Sequence, residues 1–582
     1  MQIDKNFLEA RLDQYTKDAY GVNFSFRSQQ RDIILDILMS FFDANCNLYL
    51  LEAPTGSGKS IIAMTVAGVL SHLKMKGYIL ASDLMLQSQY ETDFVEYDLR
   101  WGSIKGVDNY TCAVNNEKFS LGECRMKNMG YEQAESLDCF GDCGYLFNRK
   151  KAIQSPVTLL NYSYWLIQRN YVEGRMQDTD KGVPFPKRDF TLCDEAHKIP
   201  EIVQNHFSPR IDEKAEEKME KIRNMISRHR LGHIGFTQSS TNTLLRNIRQ
   251  EEDLEKLFSY LKDFEMQLRD LSKLQDNVKD HVKTLFPKTI PVSSEWKYNL
   301  GLMDWVKDTS CKFEDYNHII TQAGISSMVK NPQGKTLFFN CLDESYMMDK
   351  HFHTQAGFKL LMSATLGDPS SFLKTLGATK CKYVRMESTF DYTKSPIYFY
   401  PGKRMSLSQR AQNVPWAARK IEEILKNHTL ENGIIHSGSY QITKEIHDLL
   451  PPDLKKKVLV YENSFFKSDA LERFHNEKGV VLMGPSILEG LNLFEDKSRF
   501  QIFVKVPFPH IGDKYVAAKM NMQPDWYDWK AIISILQGIG RSVRSEQDWA
   551  VTYFLDGCLS DLIRRRRDSF PDEVQKRIVL VK

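Results

Sequence analysis

The chain has 582 residues, 42% hydrophobic and 26% charged, with a net charge of +3. That is globular composition for three or four domains of about 100–200 residues each; it excludes global disorder, and so small a charge excludes a protein that binds polyanions over its whole surface. No stretch is apolar for long enough to span a membrane, and the N-terminus, Met-Gln-Ile-Asp-Lys, has no signal-peptide core, so the expected location is cytoplasmic. Ten cysteines in such a chain are expected to be thiols or metal ligands rather than disulfides.

The first forty residues read as a helix, a break at Gly21 and a second amphipathic helix after Arg27-Ser-Gln-Gln30. A Gln amide can pair with the donor and acceptor edge of adenine, which makes Arg27 and Gln30 candidates for recognising ATP. Residues 48–60 follow: an apolar strand, then Ala53-Pro54-Thr55-Gly56-Ser57-Gly58-Lys59-Ser60, then a helix. Glycines at 56 and 58 let backbone N–H groups close around phosphate oxygens at the positive end of that helix. Lys59 is expected to reach the β- and γ-phosphates and the Ser60 hydroxyl to reach Mg²⁺. Gly77–Ser82 reads as a second strand, and Leu86, Gln87 and Gln89 on the next helix are candidate contacts to a nucleic-acid backbone.

Cys112, Cys124, Cys139 and Cys143 come next, with gaps of eleven, fourteen and three residues. Four thiolates in one insertion suit tetrahedral zinc or an iron–sulfur cluster, and the single close pair favours the cluster. The other six cysteines read as core residues. Strand and helix resume over 157–169, where Asn161 and Tyr162 fall at a strand end that can border a nucleic-acid path or belong to the core. Phe190-Thr-Leu-Cys-Asp194-Glu195-Ala196-His197 is a strand ending in paired acids. Downstream of a phosphate loop it reads as the other half of a nucleotide hydrolase. Asp194 would hold Mg²⁺, Glu195 would orient and deprotonate the attacking water, and His197 would sense the γ-phosphate.

From about 206 to 335 the texture changes to helical spacing of three and four, as in Ile211, Ala215, Met219, Ile222 and Ile226, or Leu254, Leu257, Leu261, Phe264, Leu268 and Leu271. The sheet resumes at Lys359–Leu366, around Ser363-Ala-Thr365. A second α/β unit begins near 390, with strands expected at 433–437, 458–460, 480–483, 500–506 and 551–555 alternating with helices, which argues a parallel sheet. Its candidate site residues are Glu489 and Gly490 after one strand, and Gln537, Arg541 and Arg544 near the end. Two arginines three residues apart share a helix face and can act as arginine fingers across a cleft. The run Arg564–Arg567 reads as a solvated basic face.

In this order the motifs resemble one family. Arg27-Ser-Gln-Gln30, Ala53–Ser60, Asp194-Glu-Ala-His197, Ser363-Ala-Thr365, Glu489-Gly490, Val506-Pro-Phe-Pro509 and Gln537-Gly-Ile-Gly-Arg541-Ser-Val-Arg544 are similar to those of XPD/DinG-type superfamily 2 iron–sulfur DNA helicases. A four-cysteine insertion and a helical arch between ATPase motifs are marks of that family, while Asn492 stands where it commonly has Asp. The resemblance implies an α/β fold with two RecA-like parallel-sheet domains, a [4Fe–4S] cluster on Cys112, Cys124, Cys139 and Cys143, and ATP and Mg²⁺ as cofactors. It implies 5′ to 3′ movement on single-stranded and forked DNA, in the cytoplasm or at the nucleoid or nucleus. A monomer with a protein partner on the arch is expected.

The corresponding division is 1–105, 151–205 and 336–388 for the first RecA-like domain, 106–150 for the cluster domain, 206–335 for the arch and 389–582 for the second RecA-like domain. Nothing in the sequence reads a 2′-hydroxyl, so an RNA or RNA–DNA hybrid helicase, or an ATP-gated scaffold that grips nucleic acid without unwinding it, are the alternatives.

Overall fold

A computed structural model describes residues 3–54, 56–126, 137–172, 185–287, 290–388, 391–461, 467–485, 495–540 and 548–581. The strands, in chain order, are β1 (Leu48–Glu52), β2 (Gly77–Ala81), β3 (Gly102–Ser103), β4 (Val157–Asn161), β5 (Phe190–Cys193), β6 (Arg210–Ile211), β7 (Met328–Gln333), β8 (Thr336–Cys341), β9 (Phe358–Ser363), β10 (Lys382–Arg385), β11 (Ile397–Phe399), β12 (Gly433–His436), β13 (Val458–Val460), β14 (Val481–Gly484), β15 (Phe500–Phe503), β16 (Val551–Phe554) and β17 (Ile578–Leu580). Two seven-stranded sheets carry the fold, in the orders β10-β1-β9-β5-β2-β4-β3 and β13-β14-β12-β15-β16-β11-β17. Every pairing within them is parallel.

The apolar runs explain this. β1, β2 and β4 are buried at every position, the mark of strands covered by helices on both faces. In the first sheet β1 lies between β9 and β10, strands that arrive some three hundred residues later in the chain. The insertions are therefore looped out of a sheet that closes behind them, and the carboxyl ends of β1, β5 and β9 meet at one edge, where open α/β sheets place ligands.

The helical insertion comprises Ala215–Arg228, Gln238–Gln250, Leu254–Ser272, Gln275–Leu285 and the 30-residue helix Ser294–Ala323. The buried stripe Leu257, Leu261, Phe264, Leu268 and Leu271 follows the spacing read from the sequence. Side-chain caps start the two longest of these helices: Asp253 accepts from Lys256 N at 2.9 Å and Ser293 from Trp296 N at 3.4 Å. The core of the insertion is continuous with one face of the first sheet and with Trp526 and Trp529 of the second domain. No helix among the described residues is long and apolar enough to cross a membrane.

Three features differ from expectation. An antiparallel sheet, β6-β8-β7, stands at the foot of the insertion. The end drawn at 335 falls in the β7–β8 turn, and the start drawn at 206 falls inside helix Ile199–Phe207. The second domain docks on this foot: Asp513 accepts from Asn331 at 3.2 Å and from Gln333 at 3.0 Å. The second sheet also gains β11 and β17, which were not expected. Finally, the basic run is not merely solvated. Arg565 and Arg566 pair with the buried Asp528 at 2.8 and 3.2 Å, bracing helix Pro524–Ile539.

Candidate active site

The phosphate loop hangs between two anchors. Ala53 N donates to Ser363 O at 2.9 Å, tying the loop's entry to the end of β9. Its exit is helix Lys59–His72, buried from Ile62 to Leu70. Gly56 and Gly58 have φ of 79° and 78°, the left-handed region that favours glycine. A Cβ on Gly58 would also lie 2.4 Å from the Gln30 amide nitrogen. Lys59 Nζ donates to Ala53 O at 3.4 Å, folded back across the loop.

Arg27 and Gln30 meet the loop itself. The Arg27 guanidinium donates to Gly56 O. Gln30 Nε2 donates to Ser57 O at 2.7 Å, and its Oε1 accepts from Arg27 N at 2.8 Å. Both ends of the Gln30 amide are thus used within the protein, so in this structure it shapes the loop instead of presenting a free edge to adenine. Thr55 lies outside the described residues.

Asp194 sits at the end of β5 and is buried. Its Oδ1 accepts from Glu195 N at 2.9 Å and its Oδ2 from Tyr90 Oη at 3.0 Å. Burial raises its carboxyl to about 6, with the Lys59 charge opposing the shift. Glu195 has φ 53°, left-handed for a residue with a side chain, a conformation that costs on the order of 1–3 kcal/mol and clusters at functional sites. The Ser60 hydroxyl, like the Asp194 carboxylate, lies beside the Tyr90 hydroxyl. Ser60 and Asp194 are therefore neighbouring oxygen donors beside Lys59, a donor set that fits Mg²⁺.

His197 joins the two domains. Its Nδ1 is 2.8 Å from Ser363 Oγ, and its Nε2 meets Gln537 Nε2. An amide nitrogen only donates, so His197 Nε2 is the acceptor and Nδ1–H donates to Ser363, whose hydroxyl donates to Thr365 O at 2.8 Å. Burial holds the imidazole down at about 4, against the pull of Glu195. The neutral ring that this network needs is the one burial favours. Beside it, Trp529 Nε1 donates to Leu366 O at 2.7 Å and Lys530 pairs with Glu201 at 3.1 Å. Helix Pro524–Ile539 of the second domain thus sits directly on the ends of β5 and β9. Arg541 and Arg544 follow that helix and, with Glu489, Gly490 and Asn492, lie outside the described residues.

Two expectations for a nucleic-acid path change. Gln87 is fully buried and donates to Ser103 Oγ and Ile104 O, both at 3.0 Å. Tyr162 is fully buried too, with its hydroxyl on Asp194 O at 2.7 Å. Tyr90 went unread in the sequence. Its signal is its position: Gln87, Tyr90 and Phe94 form the buried stripe of helix Leu84–Glu96, and a tyrosine on such a stripe needs a buried partner for its hydroxyl.

The cysteines come together. Cys112, Cys124 and Cys143 are buried and Cys139 is partly exposed. Burial first, then the neighbouring Cys112, Cys143 and Cys139, pushes the Cys124 thiol up to about 11, so the four share one electrostatic neighbourhood. A Cβ on Gly122 would lie 3.2 Å from Cys112 Sγ, and the Phe119 and Tyr145 rings pack nearby with centroids 4.4 Å apart. Among the described residues no three His, Cys, Asp or Glu side chains are gathered to hold a single ion. The fit to a cluster rests on the donor set: four thiols on a small apolar core.

A cavity of about 1020 Å³ separates this segment from the first sheet. Leu84, Met85, Asn109, Arg125, Tyr145, Tyr164, Lys198 and Ile202 are among its walls. The ion pair Lys297–Glu117, at 3.1 Å, links the helical insertion to the cysteine segment.

Fold and site define a two-domain P-loop protein, in which the glycine loop and paired acids at the edge of the first sheet are capped by a helix from the second. Two family descriptions match, "Helicase C-terminal domain" over residues 421–577 and "Type III restriction enzyme, res subunit" over residues 23–237. The ATP-dependent DNA helicase YoaA of Escherichia coli (strain K12) is 22% identical over 462 residues, covering 72% of this chain and 68% of that protein. YoaA of Haemophilus influenzae is 20% identical over 452 residues, covering 74% and 68%. Solved structures of S. tokodaii Xpd4 and of an XPD helicase share the fold, with TM-scores of 0.60 and 0.59, identities of 16% and 14%, and coverage of 96% of this chain and 100% of each of theirs. The chain is similar in sequence to these DinG-type helicases and shares the fold of the XPD structures.

Proposed function

We propose that this chain is an ATP-dependent DNA helicase that moves 5′ to 3′ on single-stranded DNA and unwinds forked duplex, acting as a monomer. The observation that carries it is the His197 bridge, in which one neutral imidazole ties Ser363 on the first sheet to Gln537 of the second domain beside the paired acids. Opening or closing the cleft must make or break that bridge.

Within this reading Gly56, Ser57, Gly58 and Lys59 hold the phosphates, in a loop shaped by Arg27, Gln30, Pro54 and Thr55. Ser60 and Asp194 would hold Mg²⁺, which when bound neutralises charge between β- and γ-oxygens. Glu195 orients the attacking water and takes its proton. Arg541 and Arg544 would act as arginine fingers on the γ-phosphate, and Glu489 and Gly490 would take part in binding ATP. Cys112, Cys124, Cys139 and Cys143 would hold a [4Fe–4S] cluster, whose part is to fix the shape of a segment that acts as the wedge. The strand would run through the cavity beside that segment. Its mixed walls, with Met85 and Tyr164 for base faces and Arg125 and Lys198 for phosphates, suit single-stranded nucleic acid. The helical arch offers a dock for a protein partner.

The test is unwinding of forked duplexes with single 5′ or 3′ tails, in DNA and RNA versions at one salt concentration, with Lys59→Ala as control. Unwinding is expected from the 5′-tailed DNA fork alone. Preference for the RNA fork, ATP hydrolysis without strand separation, or unwinding that survives Lys59→Ala each refutes the reading.

A further inference from the structure

The large cavity and the buried acid share two helices. Helix Leu84–Glu96 lends Leu84 and Met85 to the cavity wall, and helix Tyr162–Ile167 lends Ser163, Tyr164 and Ile167. Each helix also carries one fully buried tyrosine, Tyr90 and Tyr162. Both tyrosines end on the same residue: Tyr90 Oη donates to the Asp194 carboxylate at 3.0 Å, and Tyr162 Oη donates to the Asp194 main-chain carbonyl at 2.7 Å. One hydroxyl holds the side chain and the other the backbone. The Ser60 hydroxyl also lies beside that of Tyr90, so a single phenol neighbours both candidate oxygen donors for Mg²⁺.

A buried phenol needs one partner for its hydroxyl. Two such phenols, from the two helices that wall one cavity, converging on one residue, one at its carboxylate and one at its main-chain carbonyl, is a mechanical arrangement. A phenol ring is rigid and packed on all sides at interior density, so a shift of its helix is carried to its hydroxyl. We propose that Tyr90 and Tyr162 are positioning residues that tie Asp194 to the walls of the cavity. A single-stranded DNA segment lying there would reset the acid beneath the phosphate loop and so set the rate of ATP hydrolysis. This rests on the helicase reading above. It adds the route by which strand binding reaches the ATPase site, through neither residue touching the strand.

The test uses the full-length protein with Tyr90→Phe, Tyr162→Phe and the double substitution, each of which keeps the ring and loses only the hydroxyl. The first arm titrates Mg²⁺ against binding of a fluorescent ATP analogue, mant-ATP, with no DNA present. Tyr90→Phe is expected to raise the Mg²⁺ midpoint several-fold, and Tyr162→Phe to leave it in place. The second arm measures hydrolysis with and without saturating oligo-dT. Both single variants are expected to lower the stimulation ratio several-fold, and the double variant to lower it further. A lowered melting temperature with an unchanged Mg²⁺ midpoint and an unchanged stimulation ratio overturns the proposal, because the hydroxyls would then only satisfy the core. If oligo-dT fails to stimulate the unsubstituted protein, the helicase reading and the relay through Tyr162 fall together. The Mg²⁺ arm then still decides Tyr90, a shift supporting its hold on Asp194 and no shift refuting it.

Discussion

At the edge of the first sheet, Asp194, His197, Gln30 and Gln537 each have a protein partner before any nucleotide arrives. In the cysteine segment, burial first and then the neighbouring cysteines push the Cys124 thiol up to about 11. The first site is shaped by its scaffold, since strand ends and helix starts fix the donors and the ligand enters a prepared frame. The second rests, among its described residues, on short helical turns that bring thiols near one another, so a bound group would add to the order of the segment. Electrostatic preorganisation is strongest in the first arrangement, and coupling of binding to folding is strongest in the second.

The predictions try that contrast in order of expected effect. Glu195→Gln removes the proton acceptor but leaves the frame, so hydrolysis should fall by about 10²–10⁴-fold while mant-ATP binding stays near its original strength. Equal loss of binding would mean that Glu195 supports the loop.

Cys112→Ser should abolish the brown colour and visible absorption expected of a cluster and cut unwinding by about tenfold or more, with mant-ATP binding retained. Nucleotide binding lost together with the absorption would make the two regions one unit.

Acid should attack the prepared site through His197. An ordinary histidine protonates near 6.5, and this one is held down to about 4 by burial. As pH falls, the unfolded chain therefore takes the proton first. The stability present above about 6.5 is lost progressively down to about 4, roughly 3 kcal/mol in all. Melting temperature across that window should flatten in His197→Asn, and an identical slope would assign the loss to other groups.

Gln537→Ala should cost about 1 kcal/mol of the inter-domain contact and lower strand-stimulated hydrolysis several-fold while leaving mant-ATP binding to the first domain intact. The smallest effect is expected at the ion pair linking the two insertions. Lys297→Ala should change stability by less than about 1 kcal/mol, and whatever it changes in unwinding should vanish at high salt.

Much of the site was legible because its signals are local. The phosphate loop, the paired acids after β5 and the buried runs of β1, β2 and β4 are written in adjacent residues, where glycine conformations and strand burial leave few readings. The arch helices were legible for the same reason, through a period that the chain repeats. Gln30 shows the limit: an amide beside a phosphate loop suggests adenine, yet here it is spent on the loop's own carbonyl. Arg565 and Arg566 show it again, a basic run that finds a buried aspartate some forty residues earlier in the chain.

The sequence by itself determined the class of fold, since motif spacing and hydrophobic period depend only on near neighbours along the chain. Tertiary structure alone decided that β9 and β10 return to flank β1, that the β7–β8 hairpin seats the second domain, and that Tyr90 and Tyr162 close on Asp194 from the walls of one cavity. Those contacts join residues tens to hundreds of positions apart. They follow from the strand order of the sheets, which no local pattern encodes, and from the cost of leaving a buried hydroxyl without a partner.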